Sequence, residues 1–260
     1  MSTFNERTVI ITGAAMGLGL AAAQELASKG ANLALVDFNA DALEEAKASL
    51  LISYPAVKLI TVVADVSDEA AVQNYVEQTI QAFEKIDGFY NNAGIEGSQT
   101  ALTEYDLDLF KKVIDINLLS VQYGLRHVVP LMKKQGYGRI VNVASVAGIR
   151  GLPNLAAYVA TKHAVAGLTK VAAIEYGKDG VITNAIAPGY ILTPMVEAVF
   201  RHINPEDPKV PEVASAQNNP LKRIGLPKEV AKVVAFLLSE ECSYVNGQVI
   251  AIDGGQSNEY

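Results

Sequence analysis

Residues 8–19 read Thr8-Val9-Ile10-Ile11-Thr12-Gly13-Ala14-Ala15-Met16-Gly17-Leu18-Gly19, an apolar, β-branched run that ends in three glycines spaced G-x-x-x-G-x-G. A continuous apolar run of this length predicts a strand covered on both faces. The Ala-rich stretch from Leu18 to Lys29 follows at once and predicts a helix. Strand, bare turn and helix in that order open a βαβ unit. The glycines leave the backbone uncovered where an anion would meet the free N–H groups and dipole of a helix N-terminus. Glycine also serves plain tight packing, so the turn takes its meaning from lying between strand and helix.

The alternation continues along the chain. Further strands are predicted over 32–37, 58–64, 86–90, 138–143, 181–187 and 248–252, and further helices over 41–51, 68–83, 106–134, 156–177 and 227–239. Short strands alternating with longer helices predict an α/β fold, a Rossmann-type doubly wound, mostly parallel sheet of seven strands in a single domain over 1–260. Residues 190–222, with Pro194, Pro205, Pro208, Pro211 and Pro220, break the rhythm. An excursion of that length points to a substrate lid, the alternative being a variable surface insertion.

Composition narrows the function. Half of the 260 residues are apolar, the net charge is −7, and no Lys/Arg-rich block appears. That balance argues against nucleic acid or an anionic membrane surface as a partner. No apolar run approaches the ~20 residues needed to cross a bilayer, and the polar start MSTFNERT does not look like a signal peptide. Cys242 is the only cysteine, so no internal disulfide forms and a cytoplasmic, reducing setting is expected. His127, His163 and His202 lack metal-ligand spacing, and no metal is expected.

Asp37 closes the second predicted strand 18 residues after Gly19. A carboxylate there accepts both hydroxyls of an adenine ribose and repels a 2′-phosphate, by about 4 kcal/mol at ~4 Å and an effective dielectric of ~20. Met16, Phe38 and Asn39 offer no cation to offset that, so NAD(H) is expected over NADP(H). Asp37 could instead only cap its turn. Asp65-Val66 follows the third strand, where a carboxylate can accept from the adenine amino group. Asn92, Ala93 and Gly94 follow the fourth, small enough to admit a close cofactor.

Tyr158 and Lys162 stand i, i+4 on a predicted helix and so share a face. A phenol with pKa ~10 is a poor base, and a nearby ammonium favours its ionised form. Such a tyrosine gives a proton to a developing alkoxide or takes one from an alcohol. Taken alone, the pair also fits a solvated helix face. Ser145 follows the fifth strand at the edge where ligands bind, placed to hydrogen-bond a substrate oxygen or simply to cap a turn. Asn117 interrupts an apolar helix, either as a proton-relay group or as a satisfied helix-bending residue.

Together, T-G-x-x-x-G-x-G at 12–19, N-N-A-G at 91–94, Asn117, Ser145, Y-x-x-x-K at 158–162 and Pro188-Gly189 resemble the short-chain dehydrogenase/reductase family over essentially the whole chain. The resemblance implies Tyr158 as general acid/base and Ser145 as the group that polarises the carbonyl. Lys162 would bind the nicotinamide ribose and lower the tyrosine pKa, with Asn117 completing a proton relay. The cofactor would rest on Gly13, Met16, Gly17, Leu18 and Gly19, with Phe38 beside Asp37. Its nicotinamide would meet Pro188, Gly189, Ile191 and Thr193. A homotetramer is implied too, with Ile252-Asp253-Gly254-Gly255-Gln256 resembling a subunit-contact strand.

For substrate, Glu96, Ile149, Tyr190 and Met195 join Ser145 and Tyr158, with Val146, Ala147, Leu152, Val196 and Val199 as further candidate walls. Most are apolar, which favours a compact or cyclic ketone, and Glu96 could accept a hydrogen bond from a second polar group. The I-E-G, A-S-V-A-G-I-R-G and P-M-V-E segments resemble those of a family member acting on a substituted cyclohexanedione. A 3-oxoacyl-carrier-protein reductase is the rival enzyme. Asp37, Asp179 in place of a carrier-binding arginine, and the acidic balance oppose it. A sugar or polyol dehydrogenase would need a more polar pocket. A non-catalytic NAD(H) sensor would tend to lack the tyrosine or the lysine.

Overall fold

The computed structural model describes residues 4–258. The expectation drawn from the first three residues of the polar start lies outside them. Seven strands, β1 (Thr8–Thr12), β2 (Asn32–Asp37), β3 (Leu59–Val63), β4 (Gly88–Asn91), β5 (Gly138–Val143), β6 (Val181–Pro188) and β7 (Val249–Ile252), form one sheet in the order β3-β2-β1-β4-β5-β6-β7. Every neighbouring pair runs parallel. The strand order reverses between β1 and β4, which opens a crevice at the C-terminal edge.

Each face of the sheet is covered because its strands are apolar on both sides. Along β1, Val9 and Ile11 face one layer and Ile10 the other, as the two-residue period of a strand requires. Val9 and Ile11 pack with Ala22, Ala23 and Leu26 of α1 (Gly17–Ser28) and with Val230 and Val234 of α9 (Pro227–Leu238). Ile10 packs with Val72 and Val76 of α3 (Glu69–Phe83) and with Val121, Leu125 and Val128 of α5 (Ser120–Gln135). Side-chain caps start several helices, α2 (Ala40–Ser53) and α3 among them. Asn39 Oδ1 accepts from Ala42 N at 3.1 Å ahead of α2, and Asp68 Oδ1 accepts from Ala70 N at 3.0 Å ahead of α3.

One segment differs from expectation. The helix predicted over 106–134 is broken into α4 (Leu107–Ile114), a wider π-type turn over Asp115–Leu119, and α5. The break centres on Asn117, whose Oδ1 accepts from Ile95 N at 2.8 Å while its Nδ2 donates to Ile95 O at 2.7 Å. Inserting a residue into the helical ladder turns that side chain onto the loop after β4. The excursion between β6 and α9 folds into helical fragments. It holds α7 (Pro194–Ile203) and α8 (Lys209–Gln217), and its prolines are compatible with both. Pro194 takes the first position of α7 and Pro211 lies in the first turn of α8, where no N–H is missed. Leu192 N donates to Gly225 O at 2.9 Å and Gly225 N to Tyr190 O at 3.0 Å, so the two ends of the excursion are tied together.

Gly19 sets the fit of α1 against β1. A Cβ there would lie 2.0 Å from Gly13 O, inside any allowed contact. Gly19→Ala therefore has to push the helix off the sheet. It is expected to lower the free energy of unfolding by about 2–3 kcal/mol or more, read by denaturant unfolding.

Candidate active site

The crevice at the β1/β4 switch holds a cavity of about 520 Å³, within the range of small-molecule sites. One end is built by Gly13, Met16, Gly17, Leu18, Asp37, Phe38, Asp65 and Val66. Asn92, Ala93 and Gly94 form its floor. Ser145, Tyr158, Lys162, Pro188, Gly189, Ile191, Thr193 and Met195 close the other end.

The first of these ends suits a pyrophosphate. Met16 caps α1 without a side-chain hydrogen bond, so the first-turn N–H groups have no side-chain acceptor and open toward the cavity. Gly17 holds φ at +57°, a left-handed conformation that glycine adopts without strain. Asp37 is buried, yet its two oxygens accept from Ala15 N at 3.0 Å and Asn39 N at 3.1 Å. It thus braces its own turn and also lines the cavity, so the cap and the ribose acceptor are compatible roles. Phe38 is 77 % exposed, an apolar face left open at the cavity rim. The residues present fit an adenine dinucleotide with free ribose hydroxyls.

β1 and β4 are stitched together beneath this end. Thr12 Oγ1 accepts from Asn92 N at 2.9 Å and from Ala93 N at 3.0 Å. Asn92 Nδ2 returns the link by donating to Thr12 O at 2.8 Å.

At the other end Tyr158 and Lys162 project from α6 (Ala156–Tyr176) into the cavity. Lys162 is buried, and its Nζ donates to Val143 O at 2.8 Å and lies 5.4 Å from the Tyr158 ring centroid. Burial pulls its pKa down to about 8. Burial pushes the Tyr158 phenol up to about 12; the Ser145 hydroxyl hydrogen-bonded to it lowers it in part, and the charge of Glu96 raises it. Lys162 is not among the causes of that shift, of which desolvation is the largest. A phenol so placed is a proton donor. Ser145 Oγ itself accepts from Ala147 N at 3.2 Å, so it caps the turn Val146–Gly148 while facing Tyr158.

Some expected site residues stand elsewhere. Gly19 packs against Gly13 and does not line the cavity. Asn117 sits fully buried behind it, bonded to Ile95 and, at 3.4 Å, to Thr161 Oγ1, which in turn donates to Tyr158 O at 2.9 Å. Val146 and Ala147 are core residues rather than pocket walls. Ile149 and Tyr190, each about two-fifths exposed, lie outside the cavity, as does half-buried Glu96, whose carboxylate accepts from Gln99 Nε2 at 3.1 Å. Burial raises the Glu96 pKa, eased by Gln99 and by His202. Lys112 and Ile116, one helical turn apart, line the cavity without any motif to flag them.

The profile of the family described as "Enoyl-(Acyl carrier protein) reductase" matches residues 13–257. Levodione reductase from Leifsonia aquatica is 51 % identical over 257 residues, covering 99 % of this chain and 96 % of that protein. The chain belongs to the short-chain dehydrogenase/reductase family. Among other members of this family, cyclohexanol dehydrogenase from Acinetobacter sp. (strain SE19) is 36 % identical over 256 residues, covering 98 % of this chain and 97 % of that one. A crystal structure of levodione reductase superposes with a TM-score of 0.97 at 50 % identity, covering 99 % of this chain and all of the other. A structure of NAD+-bound xylitol dehydrogenase gives 0.92 at 38 % identity, covering 97 % and 99 %. The single-domain Rossmann architecture is thus common to this short-chain dehydrogenase/reductase and its relatives.

Burial of Lys162 leaves a mark on stability. Its folded pKa of about 8 lies below the ordinary 10.5, so between those values the unfolded chain binds more protons and stability rises with pH. Below pH 8 that gain is absent. From pH 8 to pH 10 the parent protein is expected to gain on the order of 2 kcal/mol over Lys162→Met in denaturant unfolding without added cofactor. Parallel pH profiles would refute a buried, depressed lysine.

Proposed function

We propose that this protein is an NAD(H)-dependent oxidoreductase that interconverts a secondary alcohol and a ketone, and that it reduces a compact apolar or cyclic ketone with Tyr158 as the proton donor. The observation that carries the reading is the partly buried Tyr158 phenol beside Ser145, at the end of the cavity away from Asp37. When bound, the dinucleotide supplies the hydride donor or acceptor.

The first turn of α1 with Gly13, Met16, Gly17 and Leu18 holds the pyrophosphate. Asp37 accepts the adenine ribose hydroxyls and repels a 2′-phosphate, with Phe38, Asp65 and Val66 around the base. Pro188, Gly189, Ile191 and Thr193 line the nicotinamide end, and Lys162 reaches its ribose. Ser145 donates to the substrate carbonyl oxygen and stabilises the charge that develops there. Tyr158 delivers its proton to the same oxygen; in the alcohol direction it removes one, and needs a cation nearby to do so near neutrality. Asn117 positions Ile95 and the Tyr158 turn through Thr161, and contributes to the proton relay. Ser145, Tyr158 and Met195 form the inner substrate wall, with Glu96, Ile149 and Tyr190 at its mouth.

Two relatives whose names denote six-membered carbocyclic substrates, levodione reductase and cyclohexanol dehydrogenase, support the cyclic ketone. The relative named for NAD+-bound xylitol dehydrogenase supports the cofactor. Helices α7 and α8 act as the lid over the substrate. The protein works in the cytoplasm as a homotetramer, a reading supported by the half-exposed edge strand β7 and by exposed Val171 and Ile174 on α6. No helix among the described residues is long and apolar enough to cross a membrane.

Initial rates with NADH and NADPH over cyclic diketones, aliphatic ketones, acetoacetyl thioesters and keto-sugars test this reading. NADH turnover on a cyclic ketone is expected. NADPH preference with thioester turnover would replace it with an acyl-chain reductase, and tight NADH binding without turnover with a sensor. Tyr158→Phe should abolish turnover while NADH still binds, and Ser145→Ala should slow it about 10²–10³-fold. Asp37→Ala should narrow the gap between NADH and NADPH, and an unchanged gap would show that another group selects the cofactor.

A further inference from the structure

Lys112 is an unassigned cation at the cofactor cavity. It lies on α4, one turn before Ile116, and both line the cavity with Asp65 and Val66. Its neighbour Lys111 is paired with Asp108 at 3.0 Å, whereas Lys112 has no carboxylate within salt-bridge distance among the described residues. Its charge nevertheless reaches Asp65, lowering that carboxyl's pKa after the larger effect of hydrogen bonds from Ser67. Ser67 N and Oγ both donate to Asp65 Oδ1, at 2.9 and 2.7 Å, while Oδ2 accepts no hydrogen bond among the described residues. Among the lining residues the cations are Lys112 and Lys162, and Lys162 is committed to Val143 O at the opposite end.

The end that carries Asp65 therefore presents one free carboxylate oxygen and one free ammonium, an acceptor and a donor. The edge of adenine presents the complement, an amino donor beside a ring-nitrogen acceptor. Hypoxanthine inverts that pattern, because its carbonyl accepts and its N1–H donates. We propose that Lys112, acting with Asp65, is a base-reading residue that selects adenine over a 6-oxo purine in the dinucleotide. This rests on the NAD(H) reading above and adds a specificity determinant to it. The ammonium donates to the ring nitrogen while the carboxylate accepts from the amino group. With a 6-oxo base the carboxylate would face a carbonyl oxygen, and that repulsion provides the discrimination.

The test compares NADH with reduced nicotinamide hypoxanthine dinucleotide in the parent, Lys112→Met and Lys112→Arg proteins, by fluorescence titration and by steady-state rates. Lys112 is exposed on its helix, so both substitutions are compatible with folding. The parent should prefer NADH, and Lys112→Met should shrink that preference about three- to tenfold through weaker NADH binding, with kcat retained, as loss of one charge-assisted hydrogen bond at a partly solvated site requires. Lys112→Arg should restore part of it. Equal weakening of both dinucleotides would reveal a merely structural role and overturn the proposal, as would an unchanged ratio. A parent protein that binds neither would remove the NAD(H) reading and the proposal with it, whereas parent turnover with NADH and an unchanged ratio would remove the proposal alone.

Discussion

Everything functional in this protein depends on keeping the ends of β1 and β4 apart yet fixed. The strand order reverses between them, so the chain leaves in opposite directions and a crevice opens. Beyond the ladder that pairs the two strands, their ends at the crevice are held by further links. Thr12 and Asn92 supply them, each accepting or donating to the other's strand end. Asn117 extends the network by holding Ile95, just past Gly94, through two bonds to one peptide. Through Thr161 the same network reaches the backbone of Tyr158. The floor of the cavity and the helix that carries Tyr158 are thus parts of one hydrogen-bonded frame, which holds the site to a single geometry.

Within that frame, burial sets the chemistry. Tyr158 and Lys162 are driven in opposite directions by the same loss of water, one toward the neutral phenol and the other toward the neutral amine. A neutral phenol beside a serine hydroxyl suits reduction, which consumes a proton at the substrate oxygen. Ionising that phenol would need a positive charge brought close to it to offset the desolvation. The favoured direction is then a matter of local electrostatics as well as of concentrations.

The strands were readable because each is buried on both faces, so that Thr8–Thr12 is a plain β-branched run. Helix boundaries fell within two or three residues of expectation, since Asn39 and Asp68 advertise their caps. What escaped depends on contacts between distant segments. Nothing local to Asn117 announces that Ile95 will claim its side chain and split a helix. Gly19 belongs to the glycine motif, yet its constraint is the carbonyl of Gly13 rather than a ligand. Lys112 carries no motif at all; only the path of α4 over the crevice brings it there. Ile149 and Tyr190 were assigned by their distance in sequence from site residues, and the structure leaves them outside the cavity.

The segment carrying α7 and α8 begins and ends at nearly the same point, because Tyr190 and Leu192 are tied to Gly225. A hoop closed at its base is energetically separable from the sheet beneath it. Closure entropy grows so slowly that doubling such a segment costs only about 0.6 kcal/mol. Replacing residues 197–218 with a segment of different length or polarity would leave β1, β4 and the frame between them unchanged. The hoop can therefore change in length and surface while the hydrogen-bonded frame beneath it is inherited intact.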